Sequence, residues 1–183
     1  MKNLVLLMLL SIIFARCSAG KVIKSNTEEM KTTTTTYQPT AKLQTQNGRE
    51  MLVGTVAYDD ILHYFENWRT EDAGIVLDQP LIDRIKAINE PIDVVCYLGT
   101  WCEDSRNGVP PFVRAIREAK NPNIQLTLIA INREKTEPES LLENGIERVP
   151  TFILKQNGEE FARLVEFPMQ ENFVLDFVEI AGS

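Results

Sequence analysis

The chain has 183 residues, of which 44% are hydrophobic, 8% aromatic and 25% charged, a profile that excludes disorder throughout and collagen-like repetition and fits one globular domain with appendages. Lys and Arg total 19 against 26 Asp and Glu, a net charge of −7, so there is no broad basic surface for duplex DNA or RNA and no nucleic-acid partner is expected. Cys17, Cys96, Cys102 and His63 show no paired close spacing, which argues against structural zinc, and neither a metal nor another cofactor is expected.

Lys2 precedes an apolar run over residues 4–14 that is too short to span a bilayer comfortably, the pattern of a secretion signal over residues 1–17. The segment Phe14-Ala15-Arg16-Cys17-Ser18 resembles the bacterial lipobox, in which cleavage exposes a cysteine that then carries a lipid. That resemblance implies lipidation at Cys17 and attachment to a membrane. Arg16 departs from it, because the position before the cysteine is normally small, and the alternative is simple cleavage near Ser18-Ala19-Gly20. On either reading the mature protein is exported, to a bacterial periplasm or as a membrane-anchored lipoprotein. Loss of Lys2 and Arg16 takes the formal charge from −7 to −9. Residues 18–48 are polar, with a threonine run at 32–36, and bury too little apolar surface to offset their ordering entropy. They read as a flexible spacer, with glycosylation of the threonines as an alternative. Residues 49–183 suffice for one core.

Residues 51–56 read as a short strand. Ile61, Tyr64, Phe65 and Trp68 follow at helical spacing i, i+3, i+4, i+7, which predicts one introductory helix. Pro80 at a first turn, followed by Leu81, Ile82, Ile85 and Ile88, predicts a second helix, ended by Asn89-Glu90-Pro91. Residues 93–98 are almost continuously apolar, as in a central strand buried on both faces, and lead straight into Gly99-Thr100-Trp101-Cys102. Val109, Phe112, Val113 and Ile116 then share one helical face that runs to about Lys120, with Pro110 and Pro111 inside it, which predicts a kinked helix. A strand over 124–132 and a short helix over 138–143, stopped by Asn144-Gly145, come next. A strand over 149–155 turns at Asn157-Gly158 and pairs antiparallel with 160–165. Phe173, Val174, Phe177, Val178 and Ala181 form the core-facing stripe of a last helix. The order β-α-β-α-β-β-α predicts an α/β sheet with one antiparallel hairpin, and no internal repeat is visible. His63, alone on the introductory helix, reads as a structural or surface residue.

Four features in order, Trp101-Cys102-Glu103-Asp104-Ser105-Arg106, Pro110, Val149-Pro150-Thr151 and Asn157-Gly158, resemble the thioredoxin superfamily over roughly residues 93–180. The first stands where the family has Trp-Cys-x-x-Cys followed by a basic residue. Pro110 lies at the family's helix-kink spacing, and Pro150 matches the proline that in the family is cis and faces the reactive cysteine. The resemblance implies a thioredoxin-like fold, a central mixed sheet flanked by helices, here with an N-terminal helical extension.

Ser105 occupies the place of the second cysteine, making this a monothiol Cys-x-x-Ser motif. A dithiol enzyme attacks a substrate disulfide with its first thiolate and resolves the mixed disulfide with its second. With Ser105, release needs an outside thiol. Two readings result: thiol–disulfide exchange on protein thiols or disulfides through the single nucleophile Cys102, as a monothiol oxidoreductase or isomerase with an external reducing thiol, or a thioredoxin-fold binding module without redox turnover. Whether the chain is an enzyme stays open on these residues. The helix N-terminus, Arg106 and a hydrogen bond from the Ser105 hydroxyl favour a Cys102 anion, whereas Glu103 and Asp104 oppose it even as they suit a helix start, so mild activation is expected.

Cys96 stands where thioredoxins often have a buried acid that relays protons. It reads as a small buried apolar residue, with a hidden resolving thiol as the alternative. The resemblance implies that Pro150 presents the preceding residue's backbone to an extended substrate chain, with Val149 and Thr151 lining that contact, and that Trp101 serves as a flat apolar contact or in packing. Glu166-Phe167-Pro168 falls where thioredoxins commonly have a glycine and is expected to re-shape the groove. A monothiol glutaredoxin reading, with a cluster or glutathione, is disfavoured because no Gly-Gly-Asp-like segment follows Pro150.

Overall fold

The computed structural model describes residues 37–182. The secretion signal, Cys17 and the threonine run lie outside these residues. Strands β1 (Gln44–Gln46) and β2 (Arg49–Met51) form an antiparallel hairpin closed by Asn47-Gly48, both at positive φ. The polar spacer expected as far as Gly48 is therefore structured from Tyr37 onward. Its anchor is the buried carboxylate of Asp60, which accepts hydrogen bonds from the Tyr37 hydroxyl, the Thr40 N–H and hydroxyl, and the Ala41 N–H. One satisfied carboxylate orders a segment too poor in apolar residues to be recognised from hydropathy.

The strand expected over 51–56 is split. Met51 ends β2, and Gly54, at φ +94°, redirects the chain into β3 (Gly54–Val56), an edge strand of the main sheet. The single introductory helix is likewise two, α1 (Tyr58–Tyr64) and α2 (Glu66–Ala73), separated by Phe65 in an extended conformation. Arg69 of α2 donates to the carbonyls of Leu62 and His63 at 2.7 and 3.1 Å, satisfying the acceptors that the break frees. His63 is exposed, edge-on to Tyr64. Helix α3 (Gln79–Lys86) has Pro80 in its first turn.

The rest follows the predicted order: β4 (Ile92–Leu98), α4 (Glu103–Ala119), β5 (Ile124–Ala130), α5 (Ser140–Glu143), β6 (Thr151–Gln156), β7 (Glu159–Val165) and α6 (Phe173–Ala181). Helix α4 continues through Pro110 and Pro111. The main sheet has the strand order β3-β5-β4-β6-β7 and is mixed: β4 runs parallel to β5, while the β3–β5, β4–β6 and β6–β7 pairs are antiparallel. Asn157-Gly158, again at positive φ, closes the β6–β7 hairpin. Among the described residues no helix is long and apolar enough to cross a membrane.

Alternation along β4 and β6 sorts the core into two layers. Val94, Cys96 and Leu98, with Phe152 and Leu154, face the helices α4 and α6, where Phe112 contacts Phe152 and Phe177 at ring separations of 4.6 and 5.4 Å. Tyr97 and Ile153 face the other way, toward Ile131, Leu141, Ile146 and Val149, and Trp101 and Cys102 pack against that second layer. The sheet thus puts Cys96 and Cys102 in different layers.

Candidate active site

The site forms where β4 passes into α4. Gly99 to Cys102 make a tight turn in which the Cys102 N–H donates to the Gly99 carbonyl at 2.9 Å, and Cys102 becomes the N-cap of α4. A Cβ on Gly99 would stand 2.8 Å from the Trp101 ring and 3.1 Å from the Cys102 Cβ, so the turn needs a glycine. Thr100 is buried and held from the N-terminal extension at two points: the Leu52 N–H donates to its Oγ1 at 3.2 Å and the Trp68 Nε1–H to its carbonyl at 3.0 Å. Neither partner was singled out for this task from the sequence, since both read as ordinary core residues.

Trp101 is half-buried. Its Nε1–H donates to the Ile131 carbonyl at 3.0 Å and the Arg133 guanidinium lies over its ring at 4.9 Å, so packing occupies the indole N–H and one face. The Cys102 thiol is partly exposed and its Sγ–H donates to the Val149 carbonyl at 3.4 Å, beside the cis Val149–Pro150 peptide. The structure thereby brings Cys102, Val149 and Pro150 together. The side chains of Val149 and Thr151 are buried, and the Thr151 hydroxyl donates to the Arg148 carbonyl at 2.7 Å, so Val149 meets the site through its carbonyl while Thr151 is engaged away from it within the sheet.

Ser105 differs from the expectation that its hydroxyl would hold the sulfur. It is fully buried, and its Oγ accepts the Gly99 N–H at 3.2 Å, bracing the turn. Arg106 is likewise engaged elsewhere: its guanidinium pairs with Glu103 at 3.5 Å and Glu71 at 3.9 Å. Glu103 and Asp104 occupy the first turn of α4, where carboxylates complement the helix dipole. Cys96 is buried among apolar neighbours, and burial pushes its thiol well above the ordinary range. Both thiols are free, and their separate layers favour the small-apolar reading of Cys96 over the resolving one.

A groove of about 320 Å³ opens alongside, between α4 and the segment after β7. Glu166 to Pro168 form one wall, as their place in the sequence indicated, and the Glu166 N–H donates to the Pro150 carbonyl at 2.7 Å. Gly108 and Phe173 complete the floor without having been foreseen, because contact between helices so far apart in sequence leaves no local pattern. Among the described residues no three His, Cys, Asp or Glu side chains are grouped to hold a metal.

No curated protein matches the chain significantly. Among solved structures it is similar to a protein of unknown function from Pseudomonas aeruginosa, at 19% identity and TM-score 0.49, covering 63% of this chain and 74% of that one. Trxlp from Edwardsiella tarda is 13% identical with TM-score 0.41 over 58% of this chain and 94% of that one. Thioredoxin O2 from Arabidopsis thaliana in the oxidised state is 13% identical with TM-score 0.38 over 58% and 87%. A family model described as thioredoxin matches residues 57–177, which include α1 through most of α6 and the whole Cys102 site. With that match over more than half its length, the chain belongs to the thioredoxin family.

Proposed function

We propose that the protein is an exported thiol–disulfide exchange protein acting through the single nucleophile Cys102. Family membership supports a thiol–disulfide redox role at the family level, with protein thiols or disulfides as substrates. The observation that carries the finer reading is the placement of a partly exposed Cys102 sulfur at the N-cap of α4, 3.4 Å from the Val149 carbonyl at the cis Pro150, with a buried serine where a second thiol would resolve. The Cys102 thiolate attacks one sulfur of a substrate disulfide. A bond forms between the two sulfurs, the substrate's own S–S bond breaks, and its second sulfur leaves as a thiolate that takes up a proton from water. An external thiolate then attacks the substrate sulfur of this mixed disulfide and expels Cys102, so that the protein ends as it began. Export rests on the apolar run after Lys2 and the lipobox resemblance at Cys17. Fractionation, with fatty-acid labelling of the wild type and Cys17→Ala, tests it.

The exchange step is tested by mixing the reduced protein with a disulfide-bonded protein substrate and separating the products without reductant. A mixed disulfide that accumulates in the wild type, is absent in Cys102→Ser and disappears on adding a small thiol is the expected result. A second reading, a binding module without redox turnover, draws on Arg106, whose charge is met by Glu71 and Glu103, and on the bond between the thiol and Val149. A Cys102 that alkylates readily yet forms no mixed disulfide would establish that second reading.

A further inference from the structure

We infer that the groove beside Cys102 selects its substrate, and that it takes an extended, cysteine-bearing polypeptide with a bulky apolar side chain next to a Lys or Arg. The inference rests on the exchange reading of Cys102 and adds what the substrate must look like.

Three observations carry it. The groove is apolar in its walls, formed by Pro111, Phe167, Pro168 and Val174, and Phe167 is 62% exposed there, with Met169 of the same segment 71% exposed. Its polar rim is anionic: Asp104, Glu166 and Glu171 contribute carboxylates, and no Lys or Arg lines it. Glu166 pairs with Arg148, but Asp104 and Glu171 make no salt bridge among the described residues, so their charge is available to a cation that enters. The wall is also built in advance. The buried Asp176 carboxylate accepts the Met169 and Gln170 N–H groups at 2.6 and 2.8 Å, and the Glu166 N–H is tied to the Pro150 carbonyl, so the segment has little ordering entropy left to lose on binding.

Helical rise sets the register. Gly108, on the groove floor, lies six residues after Cys102, or about 9 Å along α4 at 1.5 Å per residue. An extended chain advances roughly 3.3 Å per residue, so the apolar side chain that enters the groove is about three positions from the reacting cysteine. Asp104 lies between the two points in the chain and lines the groove, so its carboxylate stands within the span that the long side chain of the substrate's basic residue crosses.

The test uses peptides whose cysteine is activated as a mixed disulfide with thionitrobenzoate. Attack by Cys102 joins its sulfur to the peptide's and releases the coloured thionitrobenzoate anion, which reports the rate. The peptides carry Phe or Ala three residues from cysteine, with Arg, Gln or Glu beside it. At low salt the Phe–Arg peptide is expected to react about tenfold faster than Phe–Glu, a ratio that collapses in 1 M NaCl. The ratio falls toward one in the double variant Asp104→Asn/Glu171→Gln and persists in Glu118→Gln/Glu159→Gln, which removes two exposed carboxylates outside the groove. Replacing Phe by Ala in the peptide slows the reaction several-fold in the wild type and little in Phe167→Ala. A neutral small disulfide, 2,2′-dithiodipyridine, separates the two hypotheses. If it reacts with Cys102 while the peptides are indistinguishable, or while both double variants behave alike, the groove inference is overturned and exchange stands. If no disulfide reacts, exchange fails, and calorimetry with the Phe–Arg peptide carrying serine for cysteine decides the groove: salt-sensitive binding weakened by Asp104→Asn/Glu171→Gln upholds it, and no binding overturns it.

Discussion

The indole of Trp68 donates its Nε1–H to the carbonyl of Thr100 at 3.0 Å, with both groups buried. This bond fastens the N-terminal extension to the turn that ends in Cys102, so helix α2 is a support for the site. Trp68→Phe keeps an aromatic ring of smaller size and leaves the Thr100 carbonyl buried without its donor, so lost packing adds to the lost bond, at an expected total cost of about 1–3 kcal/mol. Trp68→Ala adds a cavity and brings the loss to about 3–5 kcal/mol. Urea midpoints at an unchanged m-value measure both, and Trp68→Phe is expected to speed amide exchange at Trp101 and Cys102. Equal midpoints for Trp68→Phe and wild type would show that neither the bond nor the indole's extra volume contributes to stability.

Gly108 approaches Phe173 so closely that a Cβ would lie 2.6 Å from the aromatic ring and 3.6 Å from Pro150 Cγ. Alanine raises helix propensity by about 1 kcal/mol, yet the clash inside a packed contact is expected to outweigh it, for a net loss of roughly 1–3 kcal/mol in Gly108→Ala. Phe173→Leu in the same chain withdraws ring atoms from the clash, so the two substitutions are expected to be less damaging together than their sum. A double-mutant cycle on unfolding free energies reads that coupling.

Features carried by local patterns were legible in the sequence. The apolar run of β4, the one-sided stripe of α4 and the turn at Asn157-Gly158 each follow from neighbours within a few positions, and the short motifs at Cys102 and Pro150 are brought together as the family resemblance implied. What escaped depends on which side chain completes which backbone group, and hydropathy spacing carries no signal of that choice even over six or seven residues. Phe65 fits a helical stripe and yet breaks it, because Arg69 satisfies the carbonyls that the break leaves open. Ser105 was identifiable as the residue in place of a thiol, but the choice of its partner, Gly99 N–H over the sulfur, is settled by the path of the turn.

Asp60 gives the fold a defined acid sensitivity. Burial alone raises a carboxyl, but hydrogen bonds from Tyr37, Thr40 and Ala41 outweigh it and hold Asp60 down to about 2. The unfolded chain, with an ordinary Asp near 3.9, takes up its proton first as pH falls. The stabilisation is therefore complete above about pH 5 and is lost as pH drops through 4 toward 2, an effect of about 2 kcal/mol. In Asp60→Asn this increment vanishes, whereas any packing defect of the variant is present at every pH. The difference in unfolding free energy between wild type and Asp60→Asn is expected to shrink between pH 6 and pH 2.5, and a constant difference would mean that the carboxylate charge is not what holds Tyr37 and Thr40.

Ser105→Cys converts the site to a dithiol. Cys102 is the N-cap and residue 105 the third position of α4, a spacing that puts their Cβ atoms within about 5–6 Å, inside the range from which small adjustments close a disulfide. The new thiol replaces a hydroxyl that accepts the Gly99 N–H at 3.2 Å, and sulfur is the weaker acceptor, so a stability loss of about 1 kcal/mol is expected in the reduced form. Treatment with 2,2′-dithiodipyridine, which takes up the two hydrogens and leaves as two pyridine-2-thiones, is expected to lower the mass of Cys96→Ala/Ser105→Cys by two hydrogens, a change absent when Cys102 is also replaced. The mechanistic consequence is the decisive one. A mixed disulfide on Cys102, which on the proposed mechanism waits in the wild type for an outside thiol, is then expected to resolve by attack from within the protein, at a rate independent of added thiol. If the mixed disulfide of Ser105→Cys still waits for external thiol, the burial of residue 105, rather than its chemical type, is what keeps the site monothiol.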